Sequence, residues 1–197
     1  SILSGNVGSC TNLIGLTGII TASGSIVDPL NSWLEGACSK TECSSTEISN
    51  ATSTIESGCQ QDIDDGNSVA NALYDFIPQY DTFRSYLCDV YTSNNTLCVS
   101  SVLWAVQNAT GINITLSDIT SALQGGDQSS LTSILDSGAY CTDCGKTLYN
   151  MAVNITSNNT FSTTVSSVKS DLSSTCGSSF VDGGKPSSVS EGSSFSS

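Results

Sequence analysis

Histidine is absent from this chain of 197 residues, and its absence closes several routes to chemistry. Without an imidazole there is no Ser-His-Asp or Cys-His activation of a nucleophile. Imidazole-ligated zinc and copper centres go with it. Cations are nearly as scarce: five Lys and Arg stand against 18 Asp and Glu, a formal net charge of -13. Lys40, Arg84, Lys146, Lys169 and Lys185 are scattered, so sequence proximity builds no basic patch. The counterion release that drives nucleic-acid binding has no source here, and an anionic membrane surface would repel the chain. Long apolar runs are missing as well. The stretch from Leu13 to Ile20 falls far short of the about 20 residues that a bilayer-spanning helix needs, which excludes direct membrane insertion. Hydrophobic residues make up 38%, below the usual level for a soluble domain, so the core must be modest.

Cysteine is what the chain has in excess. Cys10, Cys38, Cys43, Cys59, Cys88, Cys98, Cys141, Cys144 and Cys176 are spread over most of its length. That distribution predicts disulfides formed in an oxidising compartment. Thiolate zinc is the other reading, but only Cys141-Thr142-Asp143-Cys144 has metal-like spacing, and a structural site needs a second such pair. No metal and no cofactor are therefore expected. Six Asn-x-Thr sequons point the same way as the cysteines: Asn50, Asn94, Asn108, Asn113, Asn154 and Asn158. They predict passage through a secretory pathway and N-linked glycans. A start at Ser1, without Met or an apolar leader, fits a signal peptide already removed.

Periodicity then gives an all-α expectation, a disulfide-stapled bundle of short helices over residues 1–176. Three sub-units are read within it, 9–63, 67–123 and 126–176. In the first, Leu13, Leu16 and Ile20 form a helical stripe. Asp28-Pro29 reads as an N-cap with Pro at the first helical position, opening a helix that Gly36 closes. Ser44-Ser45-Thr46-Glu47 is a capping-box pattern for a helix ending near Cys59. In the second, Phe83, Tyr86, Leu87 and Val90 lie on one stripe, as do Val99, Val102, Leu103 and Val106. A disulfide between Cys88 and Cys98 would tie that hairpin. Leu116, Ile119 and Leu123 predict a short helix capped by Thr115 or Ser117. In the third, Cys144, Leu148, Met151 and Ile155 face one way, and Val165, Val168, Leu172 and Cys176 likewise. Cys144 and Cys176 are natural partners if those helices face each other. The full connectivity stays open, since eight cysteines allow 105 pairings. The ninth is free, paired between chains, or paired outside this sequence. Residues 177–197 change to a Gly/Ser-rich composition, which predicts a tail that is disordered or held by a partner, and small residues of this kind often precede a GPI anchor.

Local motifs for chemistry are weak. Cys141-Thr142-Asp143-Cys144 has thiol–disulfide oxidoreductase spacing but lacks the preceding strand, so structural bridges to two different partners are the better reading. Asp62-Ile63-Asp64-Asp65-Gly66-Asn67 resembles a calcium loop, yet Gly66 and Leu73 fall where an EF-hand needs a ligand and a Glu, so it reads as a solvated helix junction. Trp33 and Trp104 lie on apolar stripes and are expected in the core rather than on a sugar-binding face. No local pattern selects a carboxylate pair for a hydrolase.

Two segments resemble a known group. One is Ile26-Val27-Asp28-Pro29-Leu30-Asn31-Ser32-Trp33 onward through Cys43 to Gly58-Cys59-Gln60-Gln61-Asp62. The other is Asn94-Asn95-Thr96-Leu97-Cys98, followed by Tyr140-Cys141-Thr142-Asp143-Cys144-Gly145-Lys146. Together they resemble secreted, cysteine-rich proteins of mushroom-forming fungi, often with a Ser-rich, GPI-type C-terminus. The resemblance spans most of residues 10–176 and implies an extracellular or cell-wall home and a helical disulfide fold. It carries over no catalytic residue. The functional expectation is a non-enzymatic glycoprotein with a structural or interaction role, with self-assembly into a homo-oligomer or binding to a cell-wall polymer as its partner chemistry. A carrier of a lipid or other small apolar ligand is the alternative, and a carboxylate hydrolase stands behind both.

Overall fold

Helices dominate because short apolar stripes pack on one another in shared hydrophobic clusters. The computed structural model describes residues 6–67, 70–71, 74, 76–118, 133–134, 136–156 and 162–192. In chain order these hold α1 (Asn6–Cys10), α2 (Thr17–Ile20), α3 (Val27–Cys38), α4 (Ser45–Asp64), α5 (Tyr80–Leu87), β1 (Asp89–Tyr91), α6 (Cys98–Thr110), α7 (Asp143–Thr156), α8 (Ser162–Cys176) and β2 (Val189–Glu191). Tight single turns at Leu13–Leu16, Ile77–Gln79 and Ser178–Val181 connect them.

Local chemistry sets the limits of these elements. Ser44 caps α4 through a reciprocal box: its hydroxyl accepts the Glu47 N–H, and the Glu47 carboxylate accepts the Ser44 N–H at 2.7 Å. The helix runs past Cys59 to Asp64, because its end is set by a Gly rather than by the cysteine. Gly66, with φ 77, donates to Ile63, and Asn67 donates to Asp62 over 2.8 Å, the two closing bonds of a Schellman turn. The acidic Asp62–Asn67 stretch is thus the end of a helix. α3 starts at Val27, not after Asp28, since the Ser25 hydroxyl accepts the Val27 N–H. Gly36 lies inside it. A Cβ there would stand 2.4 Å from the Asn12 amide, so Gly36 admits Asn12 against the helix. Asn12 in turn donates to Trp33 O and accepts from Trp33 Nε1 at 3.1 Å. The stripe at Leu13–Ile20 is broken into a tight turn and α2. Leu13 and Ile19 are buried while Ile14 and Ile20 are 67% and 68% exposed.

One corrected element follows from a long-range partner. Val90 lies on β1 and not on the helix before it, because β1 pairs antiparallel with β2, Val90 opposite Ser190, and bridges to Leu97. The segment 177–192 is likewise no linker. Phe180 and Val189 are buried in the main core, so the expected boundary of the packed chain at 176 moves to Gly192. Residues 193–197 lie outside the described residues, as do Ile119 and Leu123 of the short helix expected after Thr115. Thr115 does cap the Leu116–Asp118 turn, accepting from Asp118 N.

Two hydrophobic clusters form among the described residues. The larger draws on α2, α3, β1, α6, α7, α8 and β2 and crosses all three expected sub-units. The smaller packs Ile48, Ala51 and Ile55 of α4 against Ile77 and Tyr80. Four disulfides bind them: Cys10–Cys43, Cys38–Cys88, Cys98–Cys144 and Cys141–Cys176. Neither the Cys88–Cys98 nor the Cys144–Cys176 bridge read from periodicity is made. Cys88 ends α5 facing α3, and Cys98 opens α6 facing α7. Cys59 carries a free, half-buried thiol.

The bridges close loops of 33 to 50 residues, each worth about 4 kcal/mol in the chain-entropy picture. Replacing the fully buried Cys98–Cys144 pair with alanines is therefore expected to lower the urea unfolding free energy by about 4 kcal/mol. The variant Cys59→Ser, which changes a half-buried thiol that closes no loop, should cost less, about 1 kcal/mol.

Candidate functional site

The N-terminal end of α7 is where the molecule concentrates its specialised side chains. The Thr142 hydroxyl accepts the Gly145 N–H at 3.0 Å and caps the helix, and Asp143 sits in its first turn beside the positive end of the dipole. The two cysteines of the Cys141–Cys144 motif diverge, Cys141 to α8 and Cys144 to α6. They act as rivets fixing α7 to both neighbours, as read from sequence, and hold no shared dithiol. Gly145 is required by packing: a Cβ there would fall 1.8 Å from the Tyr140 carbonyl oxygen. That close approach seats the Tyr140 ring edge-on to Phe180 with centroids 6.2 Å apart.

Behind this contact lies an apolar cleft of about 320 Å³ between α6, α7 and α8. Val102, Leu148, Tyr149, Val168, Leu172 and Phe180 line it, with no charged side chain among the lining residues. The Tyr140 phenol bonds Thr175, and burial raises its pKa, with Asp136 and Asp171 adding to the rise. Negative charge thus borders the apolar surface on one side.

The segment 177–192 closes over the other side of α7 through charged and polar ties. Lys146 pairs with Asp182 at 2.6 Å, the Gly184 N–H donates to Asp182, and the Asn150 amide donates to the Gly184 carbonyl. The Ser188 hydroxyl donates to Asp143. Lys185 reaches Asp89 at 2.7 Å. Asp89 is fully buried, and its Oδ2 has no hydrogen-bond partner among the described residues. Burial raises its pKa against the opposing pull of Lys185, and Glu191, its cross-strand partner in the register, raises it further. A second, polar cleft of about 400 Å³ opens between this segment and α7, bordered by Lys146 and the Cys141–Cys176 bridge.

Arg84 supplies the third specialised group. It is buried on α5 and donates to Ala37 O at 2.6 Å, Cys38 O at 3.4 Å and Lys40 O at 2.7 Å. It caps the C-terminal end of α3, where the carbonyl dipoles compensate its charge. A cleft of about 510 Å³ beside it is bordered by Lys40, Glu42 and Glu191, so its charges alternate in sign. Three of the five cations are thereby engaged in holding the fold together.

The sequence-predicted residues distribute as follows. Asn50, Asn94, Asn108, Asn113 and Asn154 are all exposed, and Asn158 lies outside the described residues. Trp33 is buried, and half-buried Trp104 donates its indole N–H to Asp28 at 3.0 Å. Among the described residues no cluster of three potential metal ligands occurs, and Asp89 is the one buried carboxylate. Sequence reading missed Arg84, Asp89 and Phe180. The first two look like ordinary isolated charges, and the third is a lone aromatic in a Gly/Ser stretch. No family model matches this chain, and no curated protein and no solved structure is significantly similar to it.

Opposed shifts predict a stability profile. Asp89 has a raised folded pKa, so its contribution grows as pH falls from neutral towards the unfolded value near 3.8. Asp182 is held low by Lys146 and the Gly184 N–H, and Asp118 by Thr115. Their contributions are present above that value and are lost as pH falls through it. Thermal melts across this range should show the Asp89→Asn variant losing the gain on mild acidification while keeping the loss at lower pH.

Proposed function

We propose that this chain is an extracellular glycoprotein that works by presenting a rigid, acidic, sugar-bearing surface, with a structural or interaction role at a cell wall or matrix. The observation that carries the reading is the combination of four crossed disulfides with exposure of every described sequon asparagine. Disulfides of this density persist where thiols are oxidised. A modest core held by cross-links leaves its surface free to vary, and this surface is acidic and rich in Ser, Thr and Asn. No helix among the described residues is long and apolar enough to cross a membrane. The sequence resemblance to secreted fungal proteins adds a cell-wall setting, a GPI-type attachment and association with wall polymer or with further copies to the same proposal.

A second reading rests on the apolar cleft. Its lining by two Tyr, one Phe and aliphatic side chains suits a small apolar ligand, and its volume lies at the lower end of ligand sites. With acidic groups at the border and a net charge of -13, a neutral ligand is favoured over an anionic one.

Two measurements test these readings. Cell fractionation with N-glycosidase treatment is expected to place the chain outside the producing cell, with a mass that falls on treatment. A chain retained in the cytosol at its bare mass would end the first reading. For the second, Ala152→Trp should fill the cleft and weaken binding of a neutral, environment-sensitive apolar dye by about tenfold, near 1.4 kcal/mol. Unchanged dye binding would remove the cleft as the site.

A further inference from the structure

We infer that Asn94 is the one described sequon that the folded, oxidised chain presents in a form ready for N-glycosylation, the other four being locked by their own hydrogen bonds or helices. The inference rests on the glycoprotein reading and makes it site-specific.

The contrast is between the partners of the acceptor amide and of the sequon hydroxyl. Asn94-Asn95-Thr96 forms the turn between β1 and α6. The Asn94 Oδ1 accepts the Thr96 N–H at 3.0 Å, an Asx turn across the sequon, and Asn95 takes the left-handed backbone with φ 56. That bond fixes the carboxamide by its oxygen and leaves Nδ2 as the free end. Among the described residues neither Asn94 Nδ2 nor the Thr96 hydroxyl makes a hydrogen bond. Asn94 and Asn95 are both exposed.

Each other sequon differs. Asn50 lies within α4, where Thr52 donates its hydroxyl to Ile48 O at 3.0 Å. Asn108 lies within α6, where Thr110 donates to Val106 O at 2.8 Å. After Asn113, Ile114 is buried and Thr115 gives its hydroxyl to Asp118 at 2.6 Å. Asn154 lies within α7, and its Nδ2 donates to the Tyr86 hydroxyl. A transferase that needs the acceptor amide nitrogen and the sequon hydroxyl both unbonded must break a hydrogen bond at all four, and at Asn94 it need not.

The step is glycosyl transfer from a lipid-pyrophosphate-linked oligosaccharide. Asn94 Nδ2 attacks the anomeric carbon, the new N–C bond forms, and the C–O bond to the pyrophosphate breaks. The lipid pyrophosphate leaves with the bonding pair, and the amide proton passes to solvent. The sugar then stands on the turn that joins β1 to α6, between Cys88 and Cys98.

The test uses the full chain, made oxidised and folded in a host that adds no N-glycans. It is incubated with an oligosaccharyltransferase and a lipid-pyrophosphate-linked oligosaccharide, beside a reduced and denatured sample, and peptides are quantified by mass spectrometry. Breaking one hydrogen bond slows reaction by about tenfold, so Asn94 should exceed Asn50, Asn108, Asn113 and Asn154 by about tenfold or more in the folded chain. In the denatured chain that preference should collapse. Asn95→Val, which disfavours the left-handed turn, should lower Asn94 modification in the folded sample and not in the denatured one. Equal modification of Asn94 and the four others in the folded chain would overturn the inference, as would an Asn94 reactive only when denatured or indifferent to Asn95→Val. A denatured chain modified at no sequon would instead overturn the glycoprotein reading beneath it.

Discussion

Covalent cross-linking between helices too short and too polar to hold each other is the constraint on which this structure depends. Isolated helices of this length are marginal in water, and their stability comes from packing. Here the packing surface is small. α4 is 20 residues long but buries only Ile48, Ala51 and Ile55, and its outer face is largely Ser, Thr and Asn. The four disulfides answer that deficit by tying α3 to the end of α5, α6 to α7, and the start of α7 to α8. Cys10–Cys43 joins α1 to the chain entering α4. Linkage of this kind lets the chain spend most of its surface on polar residues and sequons.

Scarce positive charge is used in the same economical way. Arg84 satisfies the end of α3, Lys146 and Lys185 hold the segment 177–192, and only Lys40 and Lys169 are exposed without such a role. An acidic chain with few cations gains most by placing them where carbonyl dipoles or buried carboxylates need compensation. The cost is visible at Asp89, whose second oxygen is buried without a partner. Phe180 completes the arrangement. It anchors the same C-terminal segment against Tyr140 and Tyr149 and so forms one wall of the apolar cleft.

Local signals in the sequence were legible and long-range ones were not. The capping box at Ser44, the Thr115 cap, α6, α7 and α8 follow from spacing within a few turns. The divergence of Cys141 and Cys144 was also readable, since no strand precedes them. Pairing was not: Cys141 and Cys144 lie about one helical turn apart, so an apolar stripe cannot say which of them meets Cys176. Val90 continues a helical period and becomes a strand only because Ser190, a hundred residues on, lies opposite it. Composition averages over Gly177–Gly192 and hides two anchors, Phe180 and Val189, that dock it. The six sequons were legible as a pattern. Their inequality was not, since it depends on which hydroxyls and amides the fold has already engaged.

A cross-link map of the unreduced protein by proteolysis and mass spectrometry reads the dependence of this fold on its disulfides. Linked peptides are expected for Cys10–Cys43, Cys38–Cys88, Cys98–Cys144 and Cys141–Cys176, with a free thiol at Cys59. Linked peptides joining Cys88 to Cys98 or Cys144 to Cys176, or nine reduced cysteines, would contradict that pairing.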